Sequence, residues 1–492
     1  MNPAQMSAPA VGRRGAYRST VSLRSGGSNP GWWAIPIATA AALALVPFDP
    51  TLQGSLMPAA WALAVGFLGT IAMDMAARGW ERLFRAENVI MAGCVIVIFP
   101  ELLQPFYKST LAHENVVQTI FAIGLFGTCV AIGCSLAPPK IPRTMIDLAK
   151  RQYSVDILFR IMMTSWLLTM LNYFWASNFS LSTVIAGLMS SRFGTPWARG
   201  SMGGWEAFRD FLSNFGHLVP VFTVLIALRE RRWGSSKVLA GLLCSSISIL
   251  FMAQSGGRRG LVAVLGAALL TWVFLNRRRL RPEHVVFTAI LIGMTAVGME
   301  FVLQIRSEGI GQVLDTKEEV EVEGLHVDNN FYALGETLRN VPSAVDFVGY
   351  RFFEYVLVRP IPRVFWPGKP TSSGFDLAAV LGLRGLSISI SAIGEFYVSY
   401  GWFGIIGGGI FFGWLARWWS QLISYDFGVT GAALYGLGAM ALFLGVRSIL
   451  ELVLMSYPVI CWYGVDRLLW RWARTKSKGP LSAANRFQLQ QP

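Results

Sequence analysis

The sequence predicts an all-α polytopic membrane protein with about twelve transmembrane helices. Only 14% of its 492 residues are charged, whereas a soluble domain carries about 25%, and 53% are hydrophobic. Apolar runs of about 18 to 22 residues recur along the chain, and each is long enough to cross a hydrocarbon layer of about 30 Å. The five cysteines all lie inside such runs, which is typical of small buried side chains rather than of disulfides or metal ligands.

The apolar runs and the segments between them predict the organisation of the chain. A basic tail (1–31) precedes the first nine helices (32–303), which are followed by a long loop (304–397), three more helices (398–470) and a second basic tail (471–492). The expected spans are 32–48, 56–73, 89–106, 116–137, 157–176, 211–228, 238–255, 260–275, 284–303, 398–416, 430–446 and 451–470.

The distribution of positive charge predicts which connections face the cytoplasm. Most of the 42 lysines and arginines fall in the two tails and in alternate connections, so the positive-inside rule predicts cytoplasmic termini. The net charge of +14 is then mostly cytoplasmic charge beside anionic lipid, and we expect no nucleic-acid partner. The connections 177–217 and 304–397 face outward. We expect a helix pair in the first and a partly helical functional insertion in the second, because structureless loops of that length are uncommon.

A short turn, "SGGRRG" (255–260), places Arg258 and Arg259 on the outward side, against the charge rule. One interpretation is that both side chains reach the phosphates of the outer leaflet while the glycines form the turn. The other is an anion site, since a helix N-terminus and two guanidinium groups suit a phosphate or pyrophosphate.

The long loop contains a second basic and aromatic segment. The run "VDFVGYRFFEYVLV" (345–358) is spaced as an amphipathic helix, and "RPIPRVFWPGKP" (359–370) has four prolines that forbid a regular helix and predict a stiff extended path. This segment is either an interfacial belt or a cationic wall for the phosphates and sugar rings of a lipid-linked glycan. Its candidate binding residues are Arg351, Arg359, Arg363, Trp366 and Lys369.

The end of the long loop supplies a candidate acid–base residue. The run "IGEFYVSYGWFGIIGGG" (393–409) leads into the tenth span, with Glu395 near its outward mouth and glycines that favour close helix packing. The other candidates for a general base on the outward side are His326, Asp328 and Glu336. No D-x-D, P-loop, G-x-S-x-G or H-E-x-x-H motif is present, so we expect neither a metal nor a cofactor.

From about residue 240 to 417, the order of these motifs resembles that of the Wzy-type oligosaccharide repeat-unit polymerases of bacteria, which are related to O-antigen ligases. The resemblance implies a metal-independent glycosyltransferase in the inner membrane with a periplasmic active site. Its donor would be a growing glycan on undecaprenyl pyrophosphate, and its acceptor a hydroxyl of an incoming lipid-linked repeat unit.

The resemblance also implies roles for particular residues. Arg258 corresponds to the arginine of the family's turn, with Arg259 beside it, and Glu395 corresponds to the acid of the Gly-Glu-x-Tyr motif. Arg363 and Lys369 correspond to the basic residues of the loop motif. Ligase relatives use a histidine in the large loop, and His326 is the one histidine in 304–397.

Three other functions remain open at the level of sequence. A ligase would move the same kind of glycan onto lipid or protein, a flippase or exporter would carry it across the bilayer, and a membrane scaffold would have no activity. The chain has no internal repeat and no acidic relay at the middle of a span, which disfavours a secondary transporter. For a polymerase, the pathway would also contain a chain-length regulator and a flippase for the repeat unit.

Overall fold

The fold is helical throughout the part of the chain that the structure describes. This computed structural model describes residues 29–190, 194–197, 205–254, 258–276, 328–383, 388–424 and 428–477, and within them it contains no β-strand. The candidate residue His326, the predicted span 284–303 and most of both basic tails lie outside the described residues.

Seven helices of the described chain are long and apolar enough to cross a membrane, and four shorter apolar helices accompany them. Each predicted span that the structure describes coincides with one of these eleven, whereas the total of twelve stays a prediction. The helices are α1 (Ala34–Ala44), α2 (Met57–Arg78), α3 (Ala86–Ile98), α4 (His113–Gly133), α6 (Val155–Ala176), α9 (Leu218–Glu230), α10 (Ser236–Gln254), α11 (Arg258–Asn276), α15 (Ser391–Ser420), α16 (Val429–Gly445) and α17 (Ile449–Ser477).

Shorter helices lie in the connections: α5 (Arg143–Lys150), α7 (Leu181–Met189), α8 (Glu206–Asn214), α12 (Asn330–Asn340), α13 (Arg351–Val358) and α14 (Leu377–Val380). The helix pair expected in 177–217 is therefore present as α7 and α8. The amphipathic helix expected over 345–358 is shorter than predicted. It begins only at Arg351, because Gly349 has a φ of +61°, outside the helical range, and interrupts the backbone before it.

The closest packing in the bundle joins α15 to α4 through glycines. A Cβ atom placed on Gly409 would lie 2.8 Å from the carbonyl oxygen of Phe126, and one placed on Gly413 would lie 2.0 Å from that of Val130. The predicted close approach of the glycine-rich helix is thus confirmed at Gly409. A Cβ placed on Gly407 would instead have no atom within 4 Å. Gly413 lies beyond the predicted glycine-rich run, which ends at residue 409.

The helix that carries Glu395 starts earlier than the sequence predicts. α15 begins at Ser391 rather than at 398, and its backbone is broken at Tyr400 and at Gly401, where φ is +62°. The segment before the break buries Ala392, Ile393 and other apolar side chains, so it packs as a helix instead of forming the end of a loop. Glu395 therefore lies inside a packed helical segment and not at an open mouth.

Residues of the connections bind residues near the helix ends at two opposite ends of the bundle, as expected for helices that run alternately up and down. At the end that carries α5, which we call the basic end, Arg151 pairs with Asp466 at 3.0 Å and the Tyr435 hydroxyl bonds the carbonyl of Phe84. At the other end, which carries α7, α8, α12 and α13 and which we call the loop end, the Ala392 amide bonds the carbonyl of Val446. Which end faces the cytoplasm stays a prediction.

Candidate functional site at the loop end

The arginine turn forms the start of a helix at the loop end. α11 begins at Arg258, two residues before the predicted span 260–275, while the side chains of Arg258 and Arg259 and the two preceding glycines lie outside the described part of the chain. α11 runs antiparallel to α16: a Cβ on Gly266 would meet the Met440 side chain at 2.6 Å, and one on Gly436 would meet the carbonyl of Ala267 at 2.7 Å. The start of α11 therefore lies at the end of the bundle where α16 finishes and Ser448 follows it.

The side chain of Glu395 is held by two hydrogen bonds at this same end of the bundle. Its side chain is 7% exposed, and Oε1 accepts a hydrogen bond of 2.5 Å from the Ser448 hydroxyl. Oε2 accepts one of 2.5 Å from the backbone amide of Ile449, the first residue of α17. The carboxyl group thus satisfies an amide that the helix leaves unpaired, which stabilises the start of α17. Glu395 ties α15 to the turn between α16 and α17.

Arg447 links that turn to the start of α12. Its Nε donates to Oδ2 of Asp328 at 2.7 Å, so the candidate base Asp328 lies in an ion pair. The other acidic candidate of this region, Glu336, accepts a hydrogen bond from Asn340 within α12. The structure therefore brings Glu395, Asp328 and the start of α11 to one end of the bundle and directs Glu336 back onto its own helix.

Glu101 is an acidic residue of this region that the sequence did not single out. It lies beyond the last residue of α3, and its two oxygens accept hydrogen bonds from the amides of Phe331 (2.7 Å) and Tyr332 (3.2 Å) at the start of α12. Burial raises the pKa of Glu101 to about 7, because the charged form is poorly solvated there, and the charge of Asp328 acts in the same direction. The available signal was a carboxylate inside the predicted span 89–106, whose helix in the structure ends at Ile98.

The pKa of Glu101 predicts that folding depends on pH. Its folded pKa of about 7 is above the ordinary value of 4.5, so the contribution to stability is complete below pH 4.5 and is lost as the pH rises through 7. We expect this loss, on the order of 3 kcal/mol, to appear in thermal unfolding in detergent between pH 4.5 and 8 and to be absent from Glu101→Gln. The exposed Glu114→Gln variant is the control. An unchanged pH dependence in Glu101→Gln would contradict the assignment.

The proline-rich segment folds back on itself instead of extending. Lys369, which is 5% exposed, donates through Nζ to the carbonyls of Arg359 and Ile361, both at 2.8 Å. The guanidinium of Arg363 donates to the carbonyls of Lys369 and Pro370, both at 3.1 Å. The predicted extended path is wrong because four prolines remove backbone N–H donors and the two cations supply donors in their place. Both cations are directed into the loop.

Two other candidates of this loop are exposed. Arg351 is exposed at the start of α13, and Trp366 is 37% exposed. The Arg359 guanidinium lies beside the Tyr355 ring, 6.0 Å from its centroid. Phe365, 72% exposed, contacts Trp205 with ring centroids 6.1 Å apart, and this contact joins the two long loops.

The first long loop is fixed to the end of α10, next to the arginine turn. The Trp197 indole N–H donates to Oε1 of Gln254 at 3.1 Å, and Nε2 of Gln254 donates to the carbonyls of Gly187 and Ser190, both at 3.2 Å. Gln254 is buried, and it immediately precedes the turn. The loop therefore covers the region in which α11 starts.

His217 is a second residue that the sequence did not single out. It follows α8 in a short 3-10 turn, Phe215–His217, and its Nε2 lies 3.7 Å from the position of a Cβ on Gly260 in the first turn of α11. Nothing in the sequence distinguishes it from the other histidines, because its neighbour in space is about 40 residues away along the chain.

No protein-family model, curated protein or solved structure matches the chain.

Proposed function

We propose that the protein is a membrane glycosyltransferase that polymerises undecaprenyl-pyrophosphate-linked oligosaccharide repeat units on the periplasmic face of the bacterial inner membrane. The observation that carries this proposal is the occurrence of the α11 start and the Glu395–Ser448 contact at the same end of the bundle. The two long loops meet at this end through Phe365 and Trp205. The resemblance of the motif order to the repeat-unit polymerases agrees with this arrangement.

The start of α11 suits the leaving group of such a reaction. When the bond between the sugar and the pyrophosphate breaks, negative charge grows on the pyrophosphate. The free amides of a helix N-terminus and the guanidinium groups of Arg258 and Arg259 stabilise that charge without a metal ion. The exposed rings of Trp366, Phe365 and Trp205 offer apolar faces for the sugar rings.

The remaining candidates act by positioning these groups. Arg363 and Lys369 hold the shape of the loop that presents Trp366, and Glu395 holds the turn beside the start of α11. In this proposal Arg351 and Arg359 contact the glycan or its phosphates, and His326 stays a candidate base in the large loop.

The experiment that tests the proposal is the glycan chain length in a deletion strain complemented with each variant. Wild type should give long polymer, whereas Arg258→Ala should give single repeat units at a normal membrane level, because losing one charge-stabilising donor costs about 10²- to 10³-fold in rate. Arg258→Lys should fall between them, since lysine keeps the charge and lacks the two-pronged geometry. Arg232→Ala, an exposed arginine at the basic end, is the matched control.

Two results would contradict the proposal. Long polymer from a well-expressed Arg258→Ala variant would remove the pyrophosphate site. Polymer that forms without the protein, and fails only to be transferred or exported, would favour the ligase or exporter instead.

A further inference from the structure

One ring nitrogen of His217 is buried and unused. The residue is 8% exposed, and its Nδ1 lies 3.3 Å from the carbonyl oxygen of Asn214. Because a carbonyl oxygen only accepts hydrogen bonds, the neutral ring carries its hydrogen on Nδ1 and leaves a lone pair on Nε2. Nε2 is buried and has no hydrogen-bond partner among the described residues.

The free nitrogen points at the first turn of α11. The position of a Cβ on Gly260 is 3.7 Å from Nε2, which is ordinary van der Waals contact. The glycine therefore lets the imidazole approach the helix start closely. Arg258 begins the same turn of the helix.

A second unused acceptor lies on the neighbouring helix. Oδ1 of Asn172 on α6 is buried and has no hydrogen-bond partner in the described part of the chain. Asn172 follows Thr169 by three residues and so shares its helix face, and Thr169 contacts Gly216, the residue before His217. Buried polar atoms are almost always paired, so the unused acceptor on His217 calls for a donor. A hydroxyl group is such a donor, whereas an ionised phosphate is not.

We propose that His217 is the general base of the transfer reaction and that the hydroxyl it contacts belongs to the acceptor sugar. This inference rests on the proposed function. As the acceptor oxygen forms its bond to the anomeric carbon of the donor, its proton passes to Nε2 of His217. The bond from the anomeric carbon to the pyrophosphate oxygen breaks, and its electron pair leaves with the undecaprenyl pyrophosphate. The start of α11 receives that charge, on the same helix turn that faces the imidazole.

The acidic candidates are less suited to this step. Both oxygens of Glu395 already accept hydrogen bonds from Ser448 and Ile449, and Asp328 is engaged by Arg447. A base needs a lone pair that can reach the proton it removes. Nε2 of His217 has that lone pair and faces the arginine turn.

Other titratable residues lie on the described elements packed against His217. They are Tyr173 on α6, Arg209 on α8, and Glu451 and Tyr457 on α17.

The test uses membranes that contain the full-length protein and lipid-linked repeat units extracted from a deletion strain. The rate of undecaprenyl pyrophosphate release is followed from pH 5 to 9. His217→Gln should be at least about 100-fold slower than wild type across this range, because glutamine can bond the hydroxyl but cannot take its proton. His217→Asn, which keeps a donor for the Asn214 carbonyl, should be equally slow.

Two controls separate chemistry from folding. His113→Gln changes another histidine at the loop end that also contacts a carbonyl, that of Pro47 at 2.8 Å, and it should match wild type. Gly260→Ala places a methyl group at ordinary contact distance from Nε2, so it should keep the membrane level and raise the KM for the acceptor.

The failures of the two proposals are distinguishable. If wild-type membranes release no undecaprenyl pyrophosphate, the proposed function fails. If wild type is active and both His217 variants keep its rate within threefold and its pH profile, the function stands and the assignment of His217 is overturned.

Discussion

Glu395→Ala is expected to prevent accumulation of the folded protein. The substitution leaves the Ser448 hydroxyl and the Ile449 amide without their acceptor in a buried place, and it removes the contact that ties α15 to the turn before α17. Each unpaired buried donor costs about 1 to 3 kcal/mol, and the two together approach the stability of a small domain. We expect the thermal unfolding temperature in detergent and the membrane level to fall together.

Glu395→Gln separates a positioning role from a catalytic one. The glutamine oxygen can accept from the Ile449 amide, and its NH₂ group can donate to the Ser448 hydroxyl oxygen, so the variant should fold and make polymer. Glu114→Ala, an exposed carboxylate on α4, should leave both the membrane level and the polymer unchanged. A Glu395→Gln protein that accumulates normally and makes no polymer would show that Glu395 itself moves the proton.

Gly413→Ala is expected to destabilise the contact between α15 and α4. The new methyl group would lie 2.0 Å from the carbonyl oxygen of Val130, so the two backbones must separate. Helix association in a membrane depends on close packing rather than on burial from water, and overpacking costs about 1 to 3 kcal/mol. We expect a lower unfolding temperature and a reduced membrane level.

Gly407 provides the matched control on the same helix. Its Cβ position is open, and alanine is a better helix former than glycine by up to about 1 kcal/mol, so Gly407→Ala should leave the unfolding temperature unchanged or raise it. If Gly413→Ala and Gly407→Ala had the same unfolding temperature, the close approach at Gly413 would be wrong.

The position of each apolar helix could be predicted because hydrophobic length is a local property. The spans that the structure describes lie where the apolar runs lie, and the start of α11 at Arg258 follows from two glycines before a new apolar run. Boundaries that depend on packing were less predictable. α15 extends back to Ser391 because its first residues are buried against neighbouring helices, which no local pattern indicates.

The candidate site was predictable only in part. The sequence placed Glu395 and the arginine turn in one candidate site, and the structure places the start of α11 and the Glu395–Ser448 contact at the same end of the bundle. Lys369 and Arg363 were expected to project outward, but their nearest acceptors are carbonyls a few residues away. A cation turns toward the acceptors that the fold supplies, and prolines make such acceptors available.

Composition and apolar run length predict a helical chain with many spans, two long loops and the arginine turn, because these features belong to contiguous segments. Which polar groups meet depends on the tertiary structure. Glu101 accepts hydrogen bonds from amides near residue 331, and His217 faces Gly260. Such contacts depend on distance in space, which the sequence between the two partners does not indicate.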